Sequence, residues 1–312
     1  MTSGSETPHI LVEGLTKTFG DFTALSGVDM RIARGNIEII IGGSGAGKTT
    51  LLKLLIGLDK PTAGSIYFNG HDLVPMNERR LTTMRRKMGM VFQYSALLDS
   101  MNVLDNVAFP LREHRKDLKG KEVRQRVLDK LEALGLEGIE KRFPSQLSGG
   151  MRKRVALARA LMLEPEVIFY DEPTSGLDPI TARLVDEMIV DARDRFQVTS
   201  VIISHDMAGA LRIADSIHLL AQGTIVASGS PRDLVASGQE LARQFFESSG
   251  ITVAPSGSVA AAPSPAVRNS LRFILLLLLG FDLLVQNAFV ERVAVGKRTP
   301  RDQLRNKLQR LV

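Results

Sequence analysis

One short segment constrains this chain of 312 residues more than any other part of it. Residues 42–49 read GGSGAGKT, which matches the pattern G-x-x-x-x-G-K-[ST], and they stand between an apolar run at 37–41 and an apolar helical pattern at 50–58. Small residues let backbone N–H groups surround phosphate oxygens at the N-terminus of a helix. The pattern therefore predicts a nucleotide-binding phosphate loop, composed of Gly42, Gly43, Ser44, Gly45, Ala46, Gly47, Lys48, Thr49 and Thr50.

Specific chemistry is predicted for four residues in and beyond this loop. Lys48 is expected to reach the β- and γ-phosphates, and the Thr49 hydroxyl is expected to coordinate Mg²⁺. The apolar run at 167–171 ends on Asp171, and Glu172 follows at once. We expect Asp171 to hold Mg²⁺, directly or through water, and Glu172 to orient and deprotonate the attacking water. Nucleotide hydrolysis is the reaction that this set favours.

Short β-branched runs alternate with helical patterns, which predicts an α/β domain with a largely parallel sheet. Three runs are too apolar for strands with one face in water, so we expect helices on both faces of the sheet. These runs are residues 37–41, 167–171 and 198–204. A hairpin over 217–227 and a closing helix over 234–246 are expected to follow.

The chain is predicted to contain one nucleotide-binding domain and a C-terminal extension. Helical spacing at 121–134 and 151–163 indicates two helices within a helical subdomain. After residue 250 the composition becomes rich in Pro, Ser, Ala and Gly, which is typical of a linker. The predicted division is a domain over 8–250 with its helical subdomain at about 93–165, a linker over 251–269, and a hydrophobic then basic helical extension over 270–312.

Residues 147–151 read LSGGM and end 20 residues before Asp171. Together with the phosphate loop and the acidic strand end, this segment resembles the signature motif of ABC-transporter ATPase domains, a class of P-loop NTPases. The resemblance implies that each chain binds ATP on its own loop, while Ser148, Gly149 and Gly150 of a second copy cover the γ-phosphate. A homodimer that sandwiches ATP would then be needed for catalysis. The start of a helix at Ser148 suits this role, because its N–H groups and dipole favour an anion.

Four more residues match positions of the same family. The resemblance implies that Gln93 contacts Mg²⁺ and the attacking water, that Asp178 makes a contact across the dimer, and that His205 hydrogen-bonds the γ-phosphate. Phe19 lies 29 residues before Lys48, where the family stacks an aromatic ring on adenine. The alternatives are a satisfied strand-end histidine at 205 and a buried strand aromatic at 19.

Further segments, one of them just after Gln93, resemble a particular group within this family. The segment 102–114, the methionine at 151 and the segment 243–246 are similar to the ATPases of the Mla phospholipid transport system and of Mce-protein lipid transporters. This similarity implies phospholipid as the transported substrate, and an integral membrane permease dimer and an Mce-type lipid-binding protein as partners. It places the chain peripherally at the cytoplasmic face of the bacterial inner membrane. The alternatives are a soluble, non-transport ABC ATPase that regulates an assembly, or the ATPase of another lipid, lipoprotein or solvent-tolerance system.

The net positive charge of the chain lies near its C-terminus. Residues 251–312 carry nine Lys or Arg and three acids, which equals the net charge of +6 of the whole chain, so residues 1–250 are formally neutral. We therefore expect no nucleic-acid partner. The lack of Cys suits a reducing, cytoplasmic setting. The apolar segment 271–290 contains Asp282 and leaves three possibilities open: packing on a protein partner, an interfacial anchor, and a marginal transmembrane helix.

Overall fold

The computed structural model describes residues 7–236 and the backbone of residues 252–253 and 259–260. The strands in these parts are β1 (Ile10–Phe19), β2 (Phe22–Ile32), β3 (Ile37–Ile41), β4 (Ala63–Phe68), β5 (His71–Asp72), β6 (Met88–Val91), β7 (Val167–Asp171), β8 (Thr199–Ser204), β9 (Ser216–Ala221), β10 (Thr224–Gly229), β11 (Thr252–Val253) and β12 (Val259–Ala260). The α-helices are α1 (Lys48–Leu55), α2 (Glu78–Arg85), α3 (Val103–His114), α4 (Gly120–Ala133), α5 (Gly149–Ala160), α6 (Pro179–Phe196), α7 (Met207–Ile213) and α8 (Pro231–Ala236). Single 3₁₀ turns occupy Pro144–Gln146 and Leu161–Leu163.

The larger of the two sheets in residues 7–236 has six strands in the order β10-β9-β3-β8-β7-β6. All its pairings are parallel except that of β9 with β10, which is antiparallel. Every residue of β3 and β8 is buried, and so are the first four residues of β7. The prediction of interior parallel strands from the apolar runs is confirmed, as is the hairpin of β9 and β10.

Within residues 7–236, helices line one face of this sheet and share the other face with strands. Residues of α5, α6 and α7 pack on the first of these faces against Ile39, Ile168 and Ile202. The opposite face, with Ile40 and Phe169, packs against α1 and against a second, antiparallel sheet in the order β2-β1-β4-β5. The expectation of helices on both faces is therefore wrong for much of the second face, where apolar side chains of the antiparallel sheet exclude water instead.

The segment between β6 and β7 contains α3, α4, α5 and the two 3₁₀ turns. Its own small core includes Val107 of α3, Val127 and Leu131 of α4, and Val155 of α5. The helices predicted at 121–134 and 151–163 are confirmed, although α5 begins at Gly149 and ends at Ala160, and the last three predicted residues, Leu161–Leu163, form a 3₁₀ turn. The helix predicted from residue 50 is shifted, because α1 already begins at Lys48 and ends at Leu55.

The carboxyl ends of three adjacent parallel strands lie side by side. In the register of the sheet, Ile41 at the end of β3 pairs with Ser204 at the end of β8. Asp171 at the end of β7 pairs with Ile203 of β8. Loops that follow parallel strands in register meet at one edge of the sheet, which is where α/β proteins bind ligands. The phosphate loop, Glu172 and His205 are brought to that edge in this way.

A buried polar cluster links the two sheets near the opposite strand ends. His9 is buried, its Nδ1 lies 2.6 Å from Thr199 Oγ1, and its Nε2 lies 3.7 Å from Glu166 Oε2. Burial and the charge of Arg34 lower the pKa of His9 to about 4. Burial opposes the ionisation of Glu166, but hydrogen bonds from Lys87 and other donors outweigh it and lower the pKa of Glu166 to about 2.

The cluster predicts an acid-sensitive fold. The folded state disfavours protonation of His9, whose unfolded pKa is 6.5, so its contribution to stability is complete above that pH and is lost as the pH falls toward about 4. Between about pH 7 and about pH 4.5, the free energy of unfolding should fall by about 2 kcal/mol more in the wild type than in His9→Gln. Denaturant titrations at the two pH values measure this difference. The control is His71→Gln, at an exposed histidine, which should behave as the wild type does. An equal fall in the free energy of unfolding for wild type and His9→Gln would contradict the prediction.

Several predicted features lie outside the described residues. These are the closing helix beyond Ala236, the extension over 270–312 with its apolar segment 271–290, and most of the linker, within which β11 and β12 form a short antiparallel pair. By contacts the chain divides into Met1–Ala260 and Ala261–Val312. Among the residues that the structure describes, no helix is both long and apolar enough to cross a membrane. The predicted domain limits stay predictions.

Candidate functional site

The phosphate loop is pressed against neighbouring backbone where it leaves β3 and enters α1. A Cβ on Gly42 would lie 2.4 Å from the carbonyl oxygen of Leu220, and a Cβ on Gly47 would lie 2.7 Å from that of Ala24. Gly47 also has a φ of 103°, which side chains rarely adopt. Glycine is required at both positions by these close approaches. The loop is thus fixed in place by β9 and by β2.

Lys48, the first residue of α1, lies across the loop. Its Nζ donates to the carbonyl oxygens of Gly42 at 2.7 Å and Gly43 at 3.1 Å, and it lies 3.7 Å from Glu172 Oε1. The N-cap residue, Gly47, has no side chain to cap the helix, so the first N–H groups of α1 remain available to an anion. A positive charge, a helix N-terminus and a small-residue loop therefore converge on one place.

Glu172 connects the loop with the end of β8. One carboxylate oxygen faces Lys48, and the other lies 2.6 Å from Nδ1 of His205. The backbone of Glu172 is in the left-handed region, with a φ of 46°, and its N–H donates to the carbonyl oxygen of Ile203. Such a conformation is strained for a residue other than glycine and is frequent at functional sites. Three predicted site residues are brought into contact here.

Asp171 lies beside this contact at the end of β7. Burial, and to a smaller extent the charge of Glu172, raise the pKa of the Asp171 carboxyl. A divalent cation beside the two acids would offset their repulsion. The exposed hydroxyl of Thr49 and the amide of Gln93 are the further oxygen donors predicted for Mg²⁺, and oxygen is the ligand that Mg²⁺ prefers.

Gln93 follows β6, whose last residue, Val91, pairs with Tyr170 of β7. Its side-chain Nε2 donates to Ser175 Oγ at 3.1 Å, so the loop after β6 contacts the loop after β7. The carbonyl oxygen of Gln93 accepts a hydrogen bond from Lys153 of α5. Gln93 is thereby placed near the predicted acids and is tied to the helical subdomain as well.

Ser148 and Asp178 are placed at helix N-termini rather than against the loop of their own chain. Ser148 caps α5 by accepting from the N–H of Met151 at 3.3 Å. Asp178 caps α6 by accepting from the N–H groups of Ile180 and Thr181, and a hydrogen bond from the Thr181 hydroxyl helps to lower its pKa. Gly149 and Gly150 are the first residues of α5, and the predicted contacts across a dimer stay predictions.

Phe19 lies at the tip of the hairpin of β1 and β2. The residue is 51% exposed, as is typical of a ring that is free to meet a ligand, so the alternative of a buried strand aromatic is wrong. Lys17 Nζ lies over the ring, 4.9 Å from its centroid. Phe22, its cross-strand neighbour, is also exposed and was not identified from the sequence.

Lys153 is the most informative residue that the sequence reasoning missed. It is only 6% exposed, although lysine is among the residue types least often buried. The helical spacing indicates that Lys153 is buried, because it stands three and four residues before Ala156 and Leu157, on the apolar face of α5. A lysine at an apolar position of this kind needs a polar partner, and its partner here is Gln93.

Comparison with known proteins agrees with this geometry. The family model described as ABC transporter matches residues 25–175. The intermembrane phospholipid transport system ATP-binding protein MlaF of Escherichia coli (strain K12) is 45% identical over 230 residues, which are 74% of this chain and 85% of that protein. The probable ribonucleotide transport ATP-binding protein mkl of Mycobacterium leprae is 41% identical over 248 residues, or 80% and 71% of the two chains. The dimeric ATP-binding cassette MJ0796 with bound ADP and Pi matches with a TM-score of 0.64 and 33% identity, over 72% of this chain and 99% of that chain.

The fold and the site define an ATPase of the P-loop class. The chain belongs to the family of ABC-transporter ATPases and has the fold of their cassettes. ATP binding and hydrolysis follow from this membership, and the resemblance stated from the sequence is confirmed.

Replacement of Lys48 tests the loop directly. Lys48→Ala should weaken ATP binding about 10- to 100-fold, the loss expected for a charge-assisted contact to phosphate. Equilibrium binding of a fluorescent ATP analogue measures the effect. Lys53→Ala, an exposed position on the same helix, is the matched control and should bind as the wild type does. Unchanged affinity in Lys48→Ala would exclude the predicted contact.

Proposed function

We propose that this chain is the ATP-hydrolysing subunit of a transporter that moves phospholipid between bacterial membranes through a separate permease. The observation that carries the catalytic part is Glu172, held between Lys48 and His205 at the edge of the parallel sheet. The substrate class rests on the 45% identity to a protein whose name states intermembrane phospholipid transport.

The proposed reaction uses groups that are already in contact. Lys48 binds the terminal phosphates of ATP, and the Glu172 carboxylate accepts a proton from the attacking water. The water oxygen forms a bond to the γ-phosphorus while the bond from that phosphorus to the bridging oxygen of ADP breaks, leaving ADP and phosphate. His205 orients Glu172 through the contact at Nδ1 and donates to the γ-phosphate. Phe19 stacks on adenine.

Mg²⁺ is the metal that the donor set suits. In residues 7–236 there is no cluster of three or more His, Cys, Asp or Glu able to hold a metal unaided. Thr49, Asp171 and Gln93 would therefore supply part of the coordination and the nucleotide phosphates the rest, as is usual for Mg²⁺. The metal would neutralise charge that develops on the phosphates.

A second copy of the chain is the proposed partner at the nucleotide. Ser148 and Gly149 are exposed and Gly150 is half-buried at the N-terminus of α5, and Asp178 caps the N-terminus of α6. Two structures of the MJ0796 cassette that are similar to this chain are dimeric. Closure on two ATP molecules and reopening after hydrolysis would supply the movement.

The loop after β6 is the proposed contact with the permease. Three apolar side chains of this loop, Phe92, Tyr94 and Leu98, are exposed, and so is Phe109 of α3. Asn106 of α3 is fully buried and fixes this loop by hydrogen bonds with the backbone of Leu98 and Met101. An ordered apolar surface of this kind suits a protein partner, and a permease here would place the chain at the cytoplasmic membrane face. An Mce-type lipid-binding protein would belong to the same complex.

Replacement of the proposed base separates binding from turnover. Glu172→Gln should retain ATP binding, because Lys48 and the loop are untouched, while kcat falls by about 10²- to 10⁴-fold. Phosphate release and ATP binding are measured on the same preparation. Glu187→Gln, exposed on α6, is the control. Hydrolysis at the wild-type rate by Glu172→Gln would refute the assignment of the base.

Isolation of the native complex tests the substrate. The full chain, expressed in its own cells and purified in mild detergent, should retain a polytopic permease, an Mce-type protein and phospholipid, identified by mass spectrometry. A permease with bound nucleotide-like or other polar solutes would be consistent with the ATPase assignment but would contradict phospholipid as the substrate. Recovery without any membrane protein would instead support a regulator of an assembly.

A further inference from the structure

The loop of Gln93 is held at its backbone by two cations of a single helix. Lys153 of α5 donates from Nζ to the carbonyl oxygen of Gln93. Among the described residues it belongs to no ion pair, and burial lowers its pKa. A buried ammonium group whose partner is a backbone carbonyl is costly, so this contact requires a reason beyond packing.

Arg159 repeats the arrangement farther along α5. Its guanidinium donates to the carbonyl oxygens of Ala96 at 2.7 Å and Ser95 at 3.0 Å. Ser95 and Ala96 have φ values of 64° and 44°, so two successive residues other than glycine adopt the left-handed conformation. The strained stretch that follows Gln93 is thus maintained by hydrogen bonds from α5.

Helix geometry joins these contacts to Ser148. Ser148 caps the N-terminus of α5, and at 1.5 Å per residue Lys153 lies about 8 Å and Arg159 about 16 Å along the axis from it. The helix is also anchored through Val155 in the core of the subdomain and through Ala156 and Leu157 in that of the sheet. Because α5 connects Ser148 to Lys153 and Arg159 as one rigid helix, a displacement at Ser148 would be transmitted to the Gln93 loop.

We propose that Lys153, supported by Arg159, is a positioning residue that couples the two nucleotide sites of the dimer. This inference rests on the proposed function, in which Ser148 meets the nucleotide of the partner chain and Gln93 meets the chain's own. Nucleotide bound at Ser148 moves α5, and Lys153 transmits that movement to the backbone of Gln93. One site thereby controls the placement of the group that contacts water in the other.

Lys153→Met tests the coupling, because methionine preserves the unbranched stem and removes the donor. With the full-length chain, kcat should fall about 10- to 100-fold, the range expected from misplacement of a group near the reaction. The affinity for ATP should stay as in the wild type, and the Hill coefficient for ATP should fall toward one. Lys153→Arg keeps a donor of similar reach and should restore most of kcat and of the Hill coefficient.

Lys130→Met is the matched control. Lys130 is also partly buried with a lowered pKa, but its Nζ lies over the ring of Phe196, 4.2 Å from the centroid, and within the described residues it makes no hydrogen bond to the Gln93 loop. This variant should lose stability only. Wild-type kcat and cooperativity in Lys153→Met would overturn the proposal, as would a loss of kcat that Lys153→Arg does not restore.

Hydrogen exchange gives a readout that does not depend on turnover. In a Glu172→Gln background, ATP should slow amide exchange in peptides that cover residues 93–98, and the added Lys153→Met should abolish this effect while the phosphate loop stays protected. Arg159→Met provides the same test should Lys153→Met not fold. Retained protection of 93–98 in the variant that folds would overturn the coupling. Absence of ATP binding or of hydrolysis in the wild type would instead refute the proposed function itself.

Discussion

The register of three parallel strands is the constraint on which the site depends. Because Ile41 pairs with Ser204 and Asp171 pairs with Ile203, the loops after β3, β7 and β8 leave the sheet at the same level. A shift of one residue in the pairing of β7 would move each of its side chains to the other face of the sheet. Asp171 and Glu172 would be displaced with the strand, and Glu172 would lose its contact with His205. The apolar side chains that alternate between the two cores penalise that shift, since each would be moved to the wrong face. Packing in the interior therefore fixes the position of the carboxylate at the surface.

Helix α5 combines structural and functional demands that are usually separate. Its first residues present N–H groups, its middle packs into two cores, and its cations hold the loop of Gln93. A carbonyl as partner for Lys153, instead of a carboxylate, leaves the positive charge uncompensated. The missing carboxylate costs stability, but it keeps a third acid, beyond Asp171 and Glu172, away from the loop that would approach the phosphates. A carboxylate in that place would repel the phosphates and compete for the metal.

Features defined by neighbouring residues could be predicted from the sequence. The phosphate loop, the acidic end of β7, the helix start at Ser148 and the interior strands each depend on a few consecutive residues. The antiparallel sheet was missed because breaks in register between Val12 and Leu15 and between Lys17 and Thr18 interrupt the alternation that identifies strands. The contacts of His9 with Thr199 and of Lys153 with Gln93 join residues 190 and 60 positions apart. Such pairs depend on the topology, which no local pattern contains.

Three of the seven described residues other than glycine that have a positive φ lie in the loops of the proposed site. Glu172, Ser95 and Ala96 all adopt the left-handed conformation, and glycine would relieve each of them. At position 172, glycine would remove the carboxylate. At positions 95 and 96, it would make the loop flexible enough to lose its hydrogen bonds with Arg159. The strain is maintained by hydrogen bonds with rigid elements: the Glu172 N–H donates to β8, and Arg159 of α5 donates to the loop. Because those elements belong to the sheet and to the helical subdomain, a movement of one against the other would change the distance between Gln93 and Glu172. The same contacts that order the site thus make it responsive to the position of the subdomain.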